Sequence, residues 1–569
     1  MGLTNSLYTG VSGLSTHAQM LNVSGNNIAN ANTPGFKGSR VTFETHILQN
    51  LGGASAPNAN SGGVNPSQVG LGTRIGTILR DFRTGTIQPT GVNSDMAIDG
   101  AGFFIVEQDG KQFYTRAGNF ALDRDLYLTR NGALLMGYEA NQAGDILQGA
   151  LTRLHIPLGE TIAKATESAD FAGNLNAAGE VATVGSITTS GPLYSDPGTT
   201  TPATAATALT SLYNAAGTLL FNLGDVITLS GATKGGATLP DHTFEVGAAN
   251  TTGSDAFGLT LGDFLSFLDE AFGINSDVDP NAGVTINATG EIVITSNTGT
   301  VNGIAMEASN IIVNPGTTGT LPFTFTQTQN ATGESTRTSF VAYDSLGNTM
   351  MINVTMVLEA KTNEGTQWRF YAESADDTDL DRMLGTGTLQ FDTNGSLIGT
   401  TDTTILIDRA NTGAMTPQAI NLLFDGGGGT LTALADVQSQ FKVEFQDGAP
   451  TGTLQDFSVN EDGTIVGIYS NSMMRVLGQV VVARFTNPQG LKELGANLFD
   501  VTANSGTAQI VIPGTSGTGN IVGGALEMSN VDLSHEFINL ITAATGFSAS
   551  SRVMTTSDQL IQDLLQTIR

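Results

Sequence analysis

The sequence predicts an α+β multidomain chain with a terminal α-helical coiled-coil stalk and mainly-β core and outer domains. Apolar residues recur every seven positions at both chain ends. Between those ends, alternating apolar and polar runs are broken by Asp-Gly and Asn-Gly turns, which is typical of β-hairpins. The length of 569 residues adds an expectation of about four domains.

The N-terminal helix is expected over residues 1–32. Its apolar residues share a coiled-coil spacing: Leu7, Leu14, Leu21 and Ile28, with Val11 and Ala18 on the alternate seam positions. Thr33 precedes Pro34 and is biased to extended backbone, and Gly35 follows. The helix is therefore expected to end before this break.

The C-terminal helix is expected within residues 528–569. Six apolar residues share strict seven-residue spacing: Leu533, Leu540, Phe547, Met554, Ile561 and Ile568. A neighbouring seam is predicted at Phe537, Ala544 and Leu565. Further apolar residues lie outside this stripe, namely Ile538, Ile541, Val553, Leu560 and Leu564. One partner helix cannot cover them all, so we expect the two terminal helices to pair and leave an association surface.

The middle of the chain is predicted as β-strands joined by tight turns. Hairpin turns are expected at Asp109-Gly110, Asn131-Gly132, Asp462-Gly463 and Gly347-Asn348, with a buried strand over 480–485. Short helices are expected at 153–170, 202–216 and 259–273.

Composition and the position of each segment suggest five parts. We expect paired terminal helices (1–32 and 528–569), an extended connector (33–90 and 505–527), a β-rich core domain (91–150 and 450–504), a β-rich outer domain (151–175 and 331–449) and an inserted acidic outermost domain (176–330). The inserted segment has thirteen acidic residues and one basic residue, Lys234. A disordered tract is the weaker alternative, because strand-like runs persist in it.

Charge and composition exclude several classes of function. The chain has 23 basic and 52 acidic residues and a net charge of −29, which repels phosphate backbones and anionic lipid, so neither nucleic acid nor a membrane is expected as a partner. Cysteine is absent, which excludes disulfides and thiolate metal sites. The N-terminus has no Lys or Arg before Lys37 and does not resemble a Sec-type signal peptide.

No set of residues predicts catalysis or a cofactor. The five histidines lack the spacing of metal ligands. Residues 277–288 have Ala282 and Ala288 where a calcium-binding loop needs Gly and Glu, so an acidic turn is the better interpretation. The glycine run at 424–430 lacks the Lys-Ser/Thr of a phosphate-binding loop. An enzyme is therefore a poor hypothesis.

Three segments resemble the bacterial flagellar rod and hook protein family. They are LNVSGNNIANANTPGFKGSR (21–40), a block beginning DMAIDGAGFFIV (95–138) and a block beginning GALEMSNVDL (524–569). In the middle, 339–357 and 456–499 resemble hook-forming members, whereas distal-rod members are similar at both ends but far shorter. The three blocks occur in the family's order, so the chain is identified as a member of it.

The resemblance implies a structural subunit of the flagellar hook that polymerises into a curved hollow tube. Such a tube acts as a universal joint that transmits motor torque to the filament. The implied partners are other copies of the chain, the distal rod, hook cap and hook-filament junction proteins, and the flagellar type III export apparatus. The implied location is the flagellar hook and basal body, outside the cell after export through the flagellar channel.

We expect the assembly interface on the terminal helices. Its candidate residues are Leu7, Leu14, Leu21, Ile28, Leu533, Phe537, Leu540, Phe547, Met554, Ile561, Leu565 and Ile568, with the amides Asn26, Asn27, Asn30 and Asn32 as hydrogen-bonding groups. Phe43 and Ile47 match the Phe-x-x-x-hydrophobic pattern proposed to engage the export gate, and a place in the core is the alternative for both.

Two other functions stay open at this stage. A distal-rod type axial protein is the alternative within the family. An extracellular adhesin or glycan-binding module is the alternative from a different class, favoured by the Gly/Thr-rich acidic insert.

Overall fold

The computed structural model describes residues 2–58, 61–314, 322–426, 430–435 and 437–567. The chain divides into two compact units, unit 1 (Met1–Glu160 with Thr453–Arg569) and unit 2 (Thr161–Gly452). Predicted Ile568 lies outside the described residues.

Three α-helices occur in the described residues: α1 (Gly2–Ala29), α2 (Leu261–Ala271) and α3 (Leu533–Thr567). In unit 1, α1 and α3 pack side by side and run antiparallel, since Gly10 lies beside Met554 at one end and Asn27 beside Glu536 at the other. The prediction of a mainly-β chain with a helix at each end, the two packed together, is confirmed.

Strands form the rest of unit 1. Before residue 160 they are β1 (Ser39–Thr45), β2 (Leu48–Gly52), β3 (Ser67–Gly70), β4 (Thr73–Arg80), β5 (Ile87–Pro89), β6 (Met96–Asp99), β7 (Phe103–Gln108), β8 (Lys111–Thr115), β9 (Ala121–Leu122), β10 (Leu128–Arg130), β11 (Ala133–Glu139) and β12 (Thr152–Arg153). The segment predicted as an extended connector thus contains a ribbon in which β1 pairs with β4 and β2 with β3.

Unit 2 contains β13 (Thr161–Lys164), β14 (Ser168–Asn176), β15 (Ile187–Ser190), β16 (Val226–Leu229), β17 (Thr233–Lys234), β18 (Ala237–Thr238), β19 (His242–Val246), β20 (Ala256–Gly258), β21 (Gly283–Ile286), β22 (Ile292–Thr295), β23 (Ile304–Ala305), β24 (Ile311–Asn314), β25 (Phe325–Gln329), β26 (Ser335–Tyr343), β27 (Thr349–Thr362), β28 (Gly365–Ser374), β29 (Met383–Phe391), β30 (Leu397–Thr400), β31 (Thr404–Ile407), β32 (Gln418–Leu423), β33 (Leu431–Leu434) and β34 (Gln440–Gln446).

The remaining strands are β35 (Ala449–Val459), β36 (Thr464–Tyr469), β37 (Met474–Val480), β38 (Val482–Arg484), β39 (Lys492–Gly495), β40 (Leu498–Asp500), β41 (Gln509–Val511), β42 (Asn520–Gly523) and β43 (Ala525–Glu527). The four predicted hairpins are confirmed: β7–β8, β10–β11, β26–β27 and β35–β36 pair antiparallel around the expected turns. Asp109 and Gly110 both adopt positive φ, as a type I′ turn requires.

Unit 2 contains two hydrophobic cores. In one, the antiparallel sheet β26–β27–β28–β29–β30 and the sheet β31–β32–β14–β33 enclose a core that includes Trp368, Phe370 and Phe171. We call this part the outer sandwich. The other core lies in 185–331, which we call the insert, and α2 contributes Phe264, Phe267 and Leu268 to it.

Of the three short helices expected in the middle, one is confirmed. Residues 259–273 contain α2, whose N-terminus is closed by a capping box between Thr260 and Asp263. Residues 202–216 form only a single 3-10 turn, Leu209–Ser211. The prediction for 153–170 was wrong, because Pro157 interrupts the apolar spacing and the flanking residues pair as strands β12, β13 and β14.

Within the described ranges, no helix has the length and apolar character needed to cross a lipid bilayer.

Candidate assembly site

Small residues bring α1 and α3 close together. A Cβ added to Gly13 would lie 2.6 Å from the hydroxyl oxygen of Ser550, and one added to Gly546 would lie 2.5 Å from the ring of His17. Ala543 and Ser557 are buried in the same contact. Backbones approach this closely only where side chains are small, so glycine, alanine and serine determine the spacing of the two helices.

The buried stripe of α3 follows a heptad pattern that differs in part from the prediction. The predicted seam residues Leu540, Met554 and Ile561 are partly buried, with Phe547 and Leu533 more exposed. The neighbouring line that faces α1 is Glu536, Ala543, Ser550 and Ser557. The residues of the predicted neighbouring seam are open in the single chain: Ala544 is exposed and Phe537 and Leu565 are 52% and 60% exposed, so their place in an interface stays a prediction.

The other side of α3 is apolar and open. Ile538 and Ile541 are 61% and 64% exposed, and Val553 and Leu560 are also exposed. Phe537 and Leu565 add further exposed apolar surface. Large apolar side chains in water are unfavourable by about 1.5–3 kcal/mol each relative to full burial. We call these six residues the outer face of α3; Leu564, which is also exposed, lies seven positions after Ser557 and is not part of it.

The β1–β4 ribbon covers part of α1. The hydroxyls of Thr16 and Thr73 lie 3.1 Å apart, and the backbone N–H of Thr73 donates to Ser12 at 3.2 Å. The ring of His17 meets that of Phe43 edge to face, with centroids 5.7 Å apart. The predicted seam residues of α1, Leu7, Leu14, Leu21 and Ile28, are accordingly each partly buried within unit 1.

The asparagines at the end of α1 have different surroundings. Asn27 is 1% exposed; its amide donates to Ser39 O at 2.8 Å and to Glu536 Oε1 at 3.0 Å, and it accepts from Ser39 N. Its polar atoms therefore bind within the chain and connect α1, β1 and α3. Asn30 donates to Asn26, whereas Asn26 and Asn32 are exposed and remain candidates for contacts between copies.

A buried ion pair follows the Asn-rich end of α1. Lys37 Nζ lies 2.5 Å from Glu527 Oε1 and donates to Arg83 O at 2.7 Å, and both side chains of the pair are fully buried. Glu527 also accepts from Gly85 N at 2.8 Å, and Arg116 approaches its second oxygen at 3.4 Å. These contacts join the segments next to α1 and α3 to the β7–β8 hairpin region.

Burial determines the electrostatics of this cluster. Desolvation is the largest cause that lowers the pKa of Lys37, the charge of Arg116 adds to it, and Glu527 opposes it. Burial likewise lowers the pKa of Arg116. A buried pair of this kind is costly to break from one side, since the remaining charge stays in the interior. The cluster therefore holds one geometry.

Gly35 explains the Pro-Gly break in the sequence. It adopts φ +70°, and an added Cβ would lie 2.5 Å from Ala117 N. The carbonyl of the preceding Pro34 accepts from the side chain of Asn497 at 3.0 Å. Only glycine allows the chain to pass this close to the β8 end.

The export-gate pattern lies on the ribbon. Phe43 is on β1 and Ile47 between β1 and β2, both partly open to solvent. A partner protein could contact both side chains, and their proposed role at the export gate stays a prediction.

A cleft of about 730 Å³ in unit 1 is lined by α1, β1, β4 and the start of α3. Its lining includes the ion pair of Arg83 with Asp81, and Arg80, which pairs with Glu493 outside the lining. Among the described residues, no group of three or more His, Asp or Glu is arranged to hold a metal ion.

Four family models match the chain. They are the flagella basal body rod protein at 7–37, the flagellar hook protein FlgE/F/G D1 domain at 97–166, the flagellar basal body protein FlaE D2 domain at 313–463 and the flagellar basal body rod FlgEFG protein C-terminal model at 522–567. The first and last of these contain most of α1 and α3.

Curated relatives extend over nearly the whole chain. The flagellar hook protein FlgE of Treponema pallidum is 30% identical and that of Borreliella burgdorferi 29%, each covering 99% of this chain and of the relative. FlgE of Escherichia coli K12 is 26% identical over 98% of both chains. Since the Treponema pallidum protein is 30% identical and the alignment covers 99% of both chains, the chain belongs to the flagellar hook protein family.

Proposed function

We propose that copies of this chain polymerise through the outer face of α3 into a curved hollow tube. As a member of the flagellar hook protein family, the chain is a structural subunit of the flagellar hook, and its place is the flagellar hook and basal body. The proposal concerns how the subunits join and which surfaces they use.

The observation that carries this proposal is the exposed apolar surface of α3. Ile538 and Ile541 are more than 60% exposed, whereas the line that meets α1 consists of Glu536, Ala543, Ser550 and Ser557. A helix in a self-sufficient domain shows the reverse pattern. Burying the six residues of the outer face at about 1.5–3 kcal/mol each would offset the entropy cost of association. A second copy of the helix pair supplies such an apolar partner.

In the proposed tube, the terminal helices form a coiled-coil stalk at the inside. Leu7, Leu14, Leu21, Ile28, Leu540, Phe547, Met554 and Ile561 hold the stalk together, while Leu533, Phe537, Leu565 and Ile568 meet other copies. Asn26, Asn30 and Asn32 donate and accept hydrogen bonds between copies. Neutral amides exchange such bonds with water at little net cost, which suits a joint that bends while it transmits torque.

Further partners follow from a place in the hook. The proposal includes contacts with the distal rod, hook cap and hook-filament junction proteins, and export by the flagellar type III apparatus with Phe43 and Ile47 at the gate. The insert is proposed to lie on the outside of the tube. The distal-rod alternative is set aside, since the relatives that cover 99% and 98% of this chain are hook proteins, and an adhesin role for the insert is the remaining alternative.

The outer face is tested by Ile541→Asp in the full chain. The charge would have to be buried or would keep copies apart, so we expect the loss of tubes in electron micrographs with the β-rich domains still folded by circular dichroism. The matched control is Leu223→Asp, an equally exposed leucine in the insert, which should leave tubes intact. Normal tubes from Ile541→Asp would reject the proposed interface.

The role of the insert in bending is tested by replacing 185–331 with a short Gly-Ser linker. The two ends of this segment are neighbours, since Thr332 N donates to Val184 O at 3.0 Å. We expect tubes to form with altered curvature or stiffness. Complete loss of assembly, with the outer sandwich still folded, would contradict the proposal that the terminal helices drive assembly while the insert affects only bending.

A further inference from the structure

The insert and the outer sandwich have separate hydrophobic cores, and a polar cluster lies where they meet. Lys234 is the one basic residue in 176–330, yet it is 1% exposed. It lies on β17 of the insert and faces Glu373 on β28 of the outer sandwich. A lone cation among thirteen acidic residues would be expected on the surface, so its burial needs a structural explanation.

All three N–H donors of the Lys234 ammonium group have partners. Nζ lies 2.5 Å from Glu373 Oε1, 3.0 Å from Phe272 O and 2.8 Å from Gly273 O. The two carbonyls belong to the residues that follow α2, where the helix presents the negative end of its dipole. Lys234 thus joins three segments: β17, the end of α2 and β28.

Arg337 makes a second connection across the same boundary. It lies on β26 of the outer sandwich and donates to Lys234 O at 3.3 Å and to Val301 O at 3.2 Å. Ser335, on the same strand, accepts from Val301 N at 2.9 Å. The backbone of the insert is therefore bonded at two places to one face of the outer-sandwich sheet.

Apolar contacts alone would leave the angle between the two parts less defined. Leu380, from the outer sandwich, packs on the core of the insert, and an added Cβ at Gly299 would meet Val357 at 2.8 Å. Hydrophobic contact is non-directional, whereas three hydrogen bonds to one ammonium group fix its position. Burial is the largest cause that lowers the pKa of Lys234, and Glu373 opposes this effect.

We propose that Lys234 is a positioning residue that holds the insert in one orientation on the outer sandwich, so that the two move as one rigid arm. Buried ion pairs add little net stability compared with apolar replacements of similar volume, but they discriminate strongly against other arrangements. The proposal goes beyond assembly, since it concerns unit 2 alone and does not depend on the outer face of α3.

Distance measurement by pulsed electron paramagnetic resonance tests the proposal in the full chain. The sequence has no cysteine, so Thr238→Cys in the insert and Thr393→Cys in the outer sandwich, both exposed, give the only two spin-label sites. We expect one narrow distance distribution. The same labels in Lys234→Met should give a broad distribution, and in Lys361→Met, which changes an exposed lysine of β27, a narrow one.

Lys234→Met removes the cation bonded to Glu373 and leaves the buried Arg382 as the cation facing it, which endangers folding of the insert. The double variant Lys234→Met with Glu373→Met removes the whole pair, and circular dichroism checks that it folds, because Arg382 then loses its opposing carboxylate. Hydrogen exchange near Gly273 should accelerate on the order of 100-fold in the single variant and far less in the double. The double variant gives the decisive result. A broad distance distribution, with the amides of α2 still slow to exchange, supports the proposal. A narrow distance distribution overturns it.

Discussion

The terminal helix pair and the insert place their large apolar residues in opposite ways. On α3, Ile538 and Ile541 face the solvent while Ala543 and Ser557 are buried. In the insert, Phe264 and Leu268 of α2 are fully buried in a core of their own. The insert is thus complete as a single copy, whereas the helix pair has apolar surface that only further copies would cover. Two predictions test this difference, and a third concerns the loop next to the insert.

The largest effect is expected from Phe264→Ala in the insert. The ring lies 5.5 Å from Phe244 and 5.9 Å from Phe323 between centroids, so its removal leaves a cavity. We expect the free energy of unfolding of the insert to fall by about 3–5 kcal/mol, measured by urea unfolding, with tubes still forming. Phe257→Ala is the control, since that ring is half exposed. Loss of tubes would show that assembly depends on the insert.

An intermediate effect is expected from Gly546→Val in α3. The new side chain would meet the His17 ring, where even a Cβ lies at 2.5 Å. Forcing α1 away should cost about 1–3 kcal/mol, seen as faster hydrogen exchange of α1 amides. Ala549→Val, on an exposed position of the same helix, should leave exchange unchanged. Equal exchange in both variants would mean that the close approach of the helices is dispensable.

The smallest effect concerns pH and the loop next to the insert. Burial, with the charge of Asp379 second, raises the pKa of Asp377 to about 6. The folded Asp377 carboxyl therefore holds its proton between about pH 4 and 6, where the unfolded one has lost it. Its own contribution to the free energy of unfolding should fall as pH rises through that range, by roughly 1 kcal/mol after solvent screening, whereas carboxyls with a lowered pKa such as Glu245 contribute in the opposite direction. The contribution is the difference between the original chain and Asp377→Asn in urea titrations at each pH, and a difference that does not change with pH would contradict the prediction.

The same two regions show how far the sequence predicts the structure. Heptad spacing at Leu540, Met554 and Ile561 predicts both the helix and its partly buried side, and Asn131-Gly132 predicts its hairpin, because these signals are local. The second line of the α3 seam was predicted from apolar residues at Phe537 and Leu565. The helices instead approach through glycine, alanine and serine, which an apolar pattern does not reveal.

The buried ion pairs lay beyond sequence reasoning for a different reason. Lys37 and Glu527 are 490 positions apart, and no local pattern links them. One signal was nevertheless visible in each unit: Lys37 is the first basic residue of the chain, and Lys234 stands alone among acidic residues. In both cases, a lysine preceded by a long stretch of sequence without Lys or Arg is buried in the structure. Contacts between copies involve atoms outside one chain, so the assembly residues stay predictions.

The adjacent ends of the insert have a practical consequence. The chain enters the insert after Val184 and leaves it before Thr332, and these two residues are hydrogen-bonded neighbours. Residues 185–331 are therefore connected to the outer sandwich at a single place. Changes of length within 185–331 therefore need not disturb the outer sandwich that precedes and follows it. A foreign domain with closely spaced termini could be grafted at the same two positions.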